Sequence, residues 1–451
     1  MDGGIFRPIF VPDEFREAVS GRAWLQAMLD AEAALATAEA RVGLIPHEAA
    51  AAIVSCCEAT RFDPGELGRE GRAAGNPVPP LVEVLTAAVS EVSEGAACYV
   101  HKGATSQDIV DTAAMLVTRR VLDRVLAELE GISRACARLA EEHRGTVIAG
   151  RTLLQQALPT TFGLKAAGWL VSVLEVRRRL ANVRDRGLAA QLGGAAGTLA
   201  SLGEHGDAVL GEFARELGLV EPAVPWHTDR TRVAEIGGSL SLAAGVLGKI
   251  SRDVILMAQT EVGEVAEPAG EGRGGSSTLP HKRNPILSVT AAANARRVQA
   301  SAQTLYDAMA GEHERAAGAW HTEWEALSDA LALTGGAAAA ARETVEGLEV
   351  YPERMRQNLD ETGGMLMAEN VVTVVADRLG RLKAHETVRE AARRAADGGR
   401  PFRDELLAEP ALDGRLSPEE VDAALDPAGY LGSAGALIDR ALILYQKEVS
   451  P

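Results

Sequence analysis

Proline spacing constrains this chain more than any other feature. An interior proline costs a helix about 3 kcal/mol, and none occurs between Pro80 and Pro159. Within that window Met115, Thr118, Leu122, Val125, Leu129, Ile132, Cys136 and Leu139 fall at alternating steps of three and four, which is the seam of a long bundle helix. Leu240, Ala243, Leu247, Ile250, Val254 and Met257 repeat the rhythm in the proline-free stretch from Trp226 to Glu267, and an alanine-rich window from Ile286 to Tyr351 is the third. The pattern predicts an all-α protein of long packed helices rather than alternating strands and helices.

Composition points the same way. Apolar residues reach 47% but aromatic ones only 4%, so the apolar content is mostly the alanine and leucine of helices, not the β-branched and aromatic vocabulary of sheets. Prolines are frequent before about residue 108 and again after about residue 352. Three regions are expected: an N-terminal helical domain over 1–107, a central long-helix bundle over 108–351 and a C-terminal helical domain over 352–451. Small residues along the seams let helices approach closely, within one chain or between copies of it.

With 46 basic and 63 acidic residues the net charge is −17, which argues against binding to nucleic acid or to an anionic membrane. Cys56, Cys57, Cys98 and Cys136 form no CxxC pair, and no histidine stands at zinc-ligand spacing from them. The N-terminal MDGGIFRPIFVPDEF lacks the apolar core of a signal peptide. The longest uncharged run, Gly187 to Gly203, is broken up by glycines, Gln191, Thr198 and Ser201, unlike a membrane span. A cytoplasmic protein is expected.

Three polar clusters interrupt the helical sequence. The first is Gly270 to Pro285, GEGRGGSSTLPHKRNP. Its GxGxxG spacing follows a helix and Pro268 rather than a strand, so it is not a dinucleotide fingerprint. A plain glycine-rich turn explains Gly270 to Gly275 but not the concentration of Ser276, Ser277, Thr278, His281, Lys282, Arg283 and Asn284, which suits a loop closing over an anionic substrate. The second, His101 to Thr112, reads as a loop entering a helix, where Thr105, Ser106 and free backbone N–H groups could hold a carboxylate or simply cap the helix. The third, Gly150 to Thr161, places Arg151, Thr152, Gln155 and Gln156 ahead of a helix expected to begin near Pro159. Arg315, in EHERAAGAWHTEWE, is either an anion partner or part of a salt-bridged helix face. HExxH, GxSxG and GxxxxGK[ST] are all absent.

Taken in order, GATSQDIVDTA, GRTLLQQALPTTFG and GGSSTLPHKRNP resemble the three signature regions of the fumarase/aspartase superfamily. Within it the likeness runs toward the bacterial cycloisomerases that lactonise 3-carboxy-cis,cis-muconate in protocatechuate breakdown, part of the β-ketoadipate pathway of aromatic catabolism. It extends through AGNPVPPLV, YVHKGATSQD, GLKAAGWL, GGAAGTLASLG, PWHTDR, EHERAAGAWHTEWE and LDPAGYLG.

The resemblance implies an all-α homotetramer with active sites shared between subunits, a small polycarboxylate substrate, and chemistry that needs no cofactor and no metal. It implies Ser276 as general base, with Lys282 beside it as a catalytic cation. Ser277, His101, Thr105, Ser106, Arg151, Thr152, Gln155, Asn284 and Arg315 would bind substrate. Because the protein is acidic, the site needs a local positive focus, drawn from Arg151, Arg273, Lys282, Arg283 and Arg315. Leu153 stands where adenylosuccinate lyases and fumarases carry a histidine, and the Pro77 to Pro80 run also lacks one, which weighs against an adenylosuccinate-type lyase. Nitrosuccinate lyase is the alternative within the superfamily. A non-catalytic structural protein fits poorly with intact Ser276, Lys282 and Asn284.

Overall fold

The computed structural model describes residues 4–270, 274–275, 279, 282–398 and 400–449. It is all-α: about 70% of the chain is helical and 4% is strand. The longer helices, numbered in chain order, are α1 (Gly21–Arg41), α2 (Ser106–Glu142), α3 (Phe162–Asn182), α4 (Thr231–Met257), α5 (Ile286–Asp307) and α6 (Ala319–Glu346). Every member of the two sequence seams is buried, from Met115 to Leu139 on α2, including Thr118, and from Leu240 to Met257 on α4. The spacing of apolar residues alone was enough to mark these faces. Among the described residues no helix is long and apolar enough to cross a membrane.

The chain divides into two compact units. The first comprises Met1–Glu130, Glu175–Ser251 and Ser288–Arg342, and the second Gly131–Leu174, Arg252–Leu287 and Glu343–Pro451. In the first unit α1 starts at the Ser20 cap, whose side chain accepts the Ala23 N–H, and packs against His47–Cys56 and Gly206–Leu217. In the second, Ala368–Leu379, Arg381–Ala396, Phe402–Leu407 and Pro418–Leu425 gather around Phe402, Leu406, Val375 and Val388. Ser417 and Glu420 form a reciprocal capping box on the last of these helices.

One local expectation is corrected. The third polar cluster leads into a hairpin, β1 (Val147–Thr152) and β2 (Gln155–Thr161), and the helix begins only at Phe162. Pro159 is tolerated opposite Ala149 because this two-stranded ribbon has free edges and the register shifts between Ala149 and Arg151. Leu153 and Leu154 form the tight turn with φ of 51° and 67°, a left-handed conformation that costs about 1–2 kcal/mol per non-glycine residue. No Asn-Gly or Gly-Gly signal announces such a turn. The third proline-free window, in turn, is two helices, α5 and α6, separated at residues 308–318. His313 and Gly318 take positive φ there, of 49° and 113°, so the chain turns without a proline.

Candidate active site

In the first unit the start of α2 is organised by one carboxylate. Thr105 is the residue before the helix, and its N–H donates to Asp108 Oδ2 at 2.9 Å while its carbonyl accepts the Asp108 N–H at 2.9 Å. The same side chain accepts the backbone N–H of Gly193 (3.0 Å, Oδ1) and Gly194 (2.9 Å, Oδ2), and the imidazole Nε2–H of His227 (2.7 Å, Oδ1). Asp108 is fully buried and His227 nearly so. Glycine is required at 193, where a Cβ would lie 2.7 Å from Pro225 and 2.8 Å from His227, and Gly194 has φ +68°.

Arg315 lies in the 308–318 loop, not on a helix face. Its Nη1 donates to Gln107 Oε1 at 2.8 Å and its Nη2 to the carbonyl of Ala195 at 3.0 Å. Among the described residues no carboxylate lies within ion-pair distance of it, so its charge is held in place by neutral acceptors and left uncompensated. Thr105 and Ser106, half-buried, share this neighbourhood, because Gln107 follows Ser106 directly. One turn on, Asp111 accepts from both terminal nitrogens of buried Arg230 (2.8 and 3.0 Å) and from Trp320 Nε1 (3.0 Å), and Glu323 completes the ion-pair group.

His101, also in this unit, has φ +57° and donates from Nδ1 to buried Glu32 at 2.6 Å. Burial on its own would lower the imidazole pKa, but the charge and hydrogen bond of Glu32, helped by Asp108, outweigh it and raise the pKa. Further along α1, Glu39 is buried with neither carboxylate oxygen hydrogen-bonded among the described residues, and burial pushes its pKa up to about 8 against the opposing charge of Lys102.

The remaining described candidates belong to the second unit. Arg151 on β1 forms a bidentate pair with fully buried Glu264, at 2.9 and 2.8 Å, and Asn358 Nδ2 donates to the same carboxylate at 2.8 Å. Its charge is therefore answered internally. Thr152 and Gln155 face each other, exposed, beside the hairpin turn. Gln156 donates to the Asn358 carbonyl at 2.9 Å. Arg283 pairs with Glu349 at 2.7 Å, which removes it from the supply of free positive charge. Lys282 is exposed, and the Asn284 N–H donates to the Gly274 carbonyl at 2.9 Å, closing the base of the glycine-rich loop. Ser276 and Ser277, like Arg273, lie outside the described residues. The described candidates thus form two groups, His101, Thr105, Ser106 and Arg315 in one unit and Arg151, Thr152, Gln155, Lys282 and Asn284 in the other. Among the described residues no three His, Cys, Asp or Glu side chains gather in a way that could hold a metal ion.

The family described as lyase matches residues 11–300, and that described as adenylosuccinate lyase C-terminus matches residues 364–441. The chain belongs to the fumarase/aspartase superfamily. It is 46% identical over 438 residues to a 3-carboxy-cis,cis-muconate cycloisomerase of Bradyrhizobium diazoefficiens, with 97% of each chain covered. It is also 46% identical over 450 residues to a nitrosuccinate lyase of Streptomyces davaonensis, covering 98% of this chain and 95% of the other. The crystal structure of the 3-carboxy-cis,cis-muconate lactonizing enzyme from Pseudomonas putida superposes with a TM-score of 0.94 at 44% identity, covering 99% of this chain and 100% of that one. Relatives covering nearly all of this chain include cycloisomerases and lyases, so this is an enzyme fold of that family, whose members act on small polycarboxylates.

Sequence reasoning did not single out His227, Glu32, Glu264 or Glu323, although PWHTDR contributed to the resemblance. Each gains its place through a partner far away in sequence, such as Asp108 and His227, 119 residues apart. Only Glu32, set in the alanine- and leucine-rich AEAALA, gave a chemical signal, since a glutamate within apolar helical sequence has to find a partner when it is buried.

Proposed function

We propose that this protein is a cofactor-independent cycloisomerase converting 3-carboxy-cis,cis-muconate into a carboxymuconolactone. The observation that carries the reading is Arg315, a cation with no carboxylate partner among the described residues, beside the N-terminus of α2, in a protein of net charge −17. Uncompensated positive charge next to a helix N-terminus is what a polycarboxylate needs. In the forward reaction one substrate carboxylate oxygen bonds to an alkene carbon. The alkene electrons move into the adjacent carboxylate as its aci-form, and a proton arrives on the carbon between them.

By microscopic reversibility the group that delivers this proton removes it in the reverse direction, and that group is Ser276. The positive charge of Lys282 is the candidate to stabilise its alkoxide. Lys282 and Asn284 bind the carboxylate that takes up charge, an electrostatic contribution that is usually the largest in such catalysis. Arg315, Thr105, Ser106 and His101 hold the other carboxylates, and Thr152, Gln155, Ser277 and the remaining donors of Arg151 line the rest. The likeness to the superfamily's three signature regions supports a homotetramer whose sites combine regions from different subunits. The absence of a disulfide among Cys56, Cys57, Cys98 and Cys136 supports a cytoplasmic setting.

Nitrosuccinate lyase is the second reading, favoured by a relative of equal identity over 98% of the chain. The test is turnover by chelator-dialysed enzyme on 3-carboxymuconate, nitrosuccinate and adenylosuccinate side by side. Lactone formation without added metal or nucleotide is expected. Nitrite release without lactonisation would replace the first reading with the second.

A further inference from the structure

The buried pair Asp108–His227 takes no part in the chemistry above, yet both contacts that hold Arg315 lead back to it. The carbonyls of Gly194 and Ala195 that receive Arg315 Nη2 belong to a loop whose Gly193 and Gly194 N–H groups are fastened to Asp108. Gln107, which receives Nη1, donates its own amide to the His227 carbonyl at 2.8 Å and to Asp111 at 3.1 Å. One carboxylate therefore joins three segments, the turn before α2, the Gly193–Gly194 loop and the irregular PWHTDR stretch, and His227 is its only side-chain donor among the described residues. A carboxylate accepting three backbone N–H bonds without the imidazole would still have a lone-pair direction open on Oδ1 and freedom to rotate. The Nε2–H bond removes that freedom.

We infer that His227 is a positioning residue: by locking Asp108 it fixes the Gly194–Ala195 carbonyls and Gln107, and so aims Arg315 at the substrate carboxylate. This rests on the reading of Arg315 as a polycarboxylate ligand. His227 touches no substrate itself. The arrangement also explains the glycine pair, since a side chain at 193 would push His227 off Asp108.

The test measures calorimetric binding of tricarballylate and of glutarate to the intact enzyme. His227→Leu is expected to weaken tricarballylate by about tenfold or more and to reduce the preference for it over glutarate, because a misaimed cation costs most to the ligand that used it. His227→Gln places an amide donor near the original Nε2 and should stay within about threefold of wild type, since the bond to Asp108 is restored. If His227 acts through Arg315, His227→Leu added to Arg315→Ala should cost little further affinity, a coupling that general loosening of the fold would not produce.

Wild-type affinity in a folded His227→Leu protein, or full additivity with Arg315→Ala, overturns the inference. Should His227→Leu fail to fold, His227→Asn, whose donor is too short to reach Asp108, takes its place. Equal tricarballylate affinities for His227→Asn and His227→Gln would then overturn it. Wild-type affinity in Arg315→Ala would instead show that the reading of the site itself is wrong.

Discussion

Removing Arg151 from its pair with Glu264 separates two roles that the sequence leaves merged. Glu264 is fully buried, and besides the two Arg151 bonds it accepts one from Asn358 Nδ2. Arg151→Met therefore strands a carboxylate in the interior, a change that typically costs about 3–5 kcal/mol. Glu264→Gln alone leaves Arg151, whose side chain is 24% exposed, able to reach water, so its cost should be smaller. The double variant Arg151→Met with Glu264→Gln replaces the pair by a neutral one that Asn358 can still serve. It should recover most of the loss, since exchanging a buried pair for uncharged neighbours is often close to neutral.

Thermal unfolding at matched protein concentration gives the stabilities, and tricarballylate competition gives affinity in the same samples. The single variant should melt several degrees below wild type, as expected for losses of this order in a chain of this size. The double variant should melt close to wild type. Because the charge of Arg151 is already answered, tricarballylate affinity in the double variant should fall by no more than about tenfold, the loss of a hydrogen bond rather than of a free cation. An Arg151→Met protein as stable as wild type would refute the stranded-carboxylate argument. A double variant that is stable but binds no tricarballylate would show instead that Arg151 serves the substrate directly as a cation.

Ser276→Ala should lower kcat by about 100-fold or more with tricarballylate binding retained, since general acid–base catalysis acts in the transition state; more than a tenth of wild-type kcat would take the role from Ser276. Mixing Ser276→Ala subunits with Thr105→Ala, Ser106→Ala subunits should restore activity after exchange if sites are shared, and verified exchange without recovery would assign each site to one chain. Glu39 titrates near 8 in the folded protein against 4.5 unfolded, so the unfolded chain ionises first. The stability from its protonated form is complete below pH 4.5 and drains away as pH rises toward 8, by up to roughly 5 kcal/mol. Glu39→Gln should thus gain on wild type in melting temperature between pH 5 and pH 8.5, and parallel pH curves would contradict this.

The sequence by itself determined the helical class and the faces of its long helices. A helix repeats every 3.6 residues, and the residues from Met115 to Leu139 and from Leu240 to Met257 carry that period without help from any neighbour. It also marked the three polar clusters, because hydrogen-bonding groups concentrated within apolar helical sequence need a reason to be there. Only the tertiary structure decided what each charge does. Arg151 and Arg315 are both arginines in polar clusters, yet Glu264, 113 residues away, answers the first, and the second is met by neutral carbonyls and Gln107. The hairpin at 147–161 likewise depends on pairing between strands, with left-handed leucines at 153 and 154 that no local preference selects. Periodicity is a property of neighbours along the chain, whereas the partner of a buried charge is set by which distant segment the fold brings within about 3 Å of it.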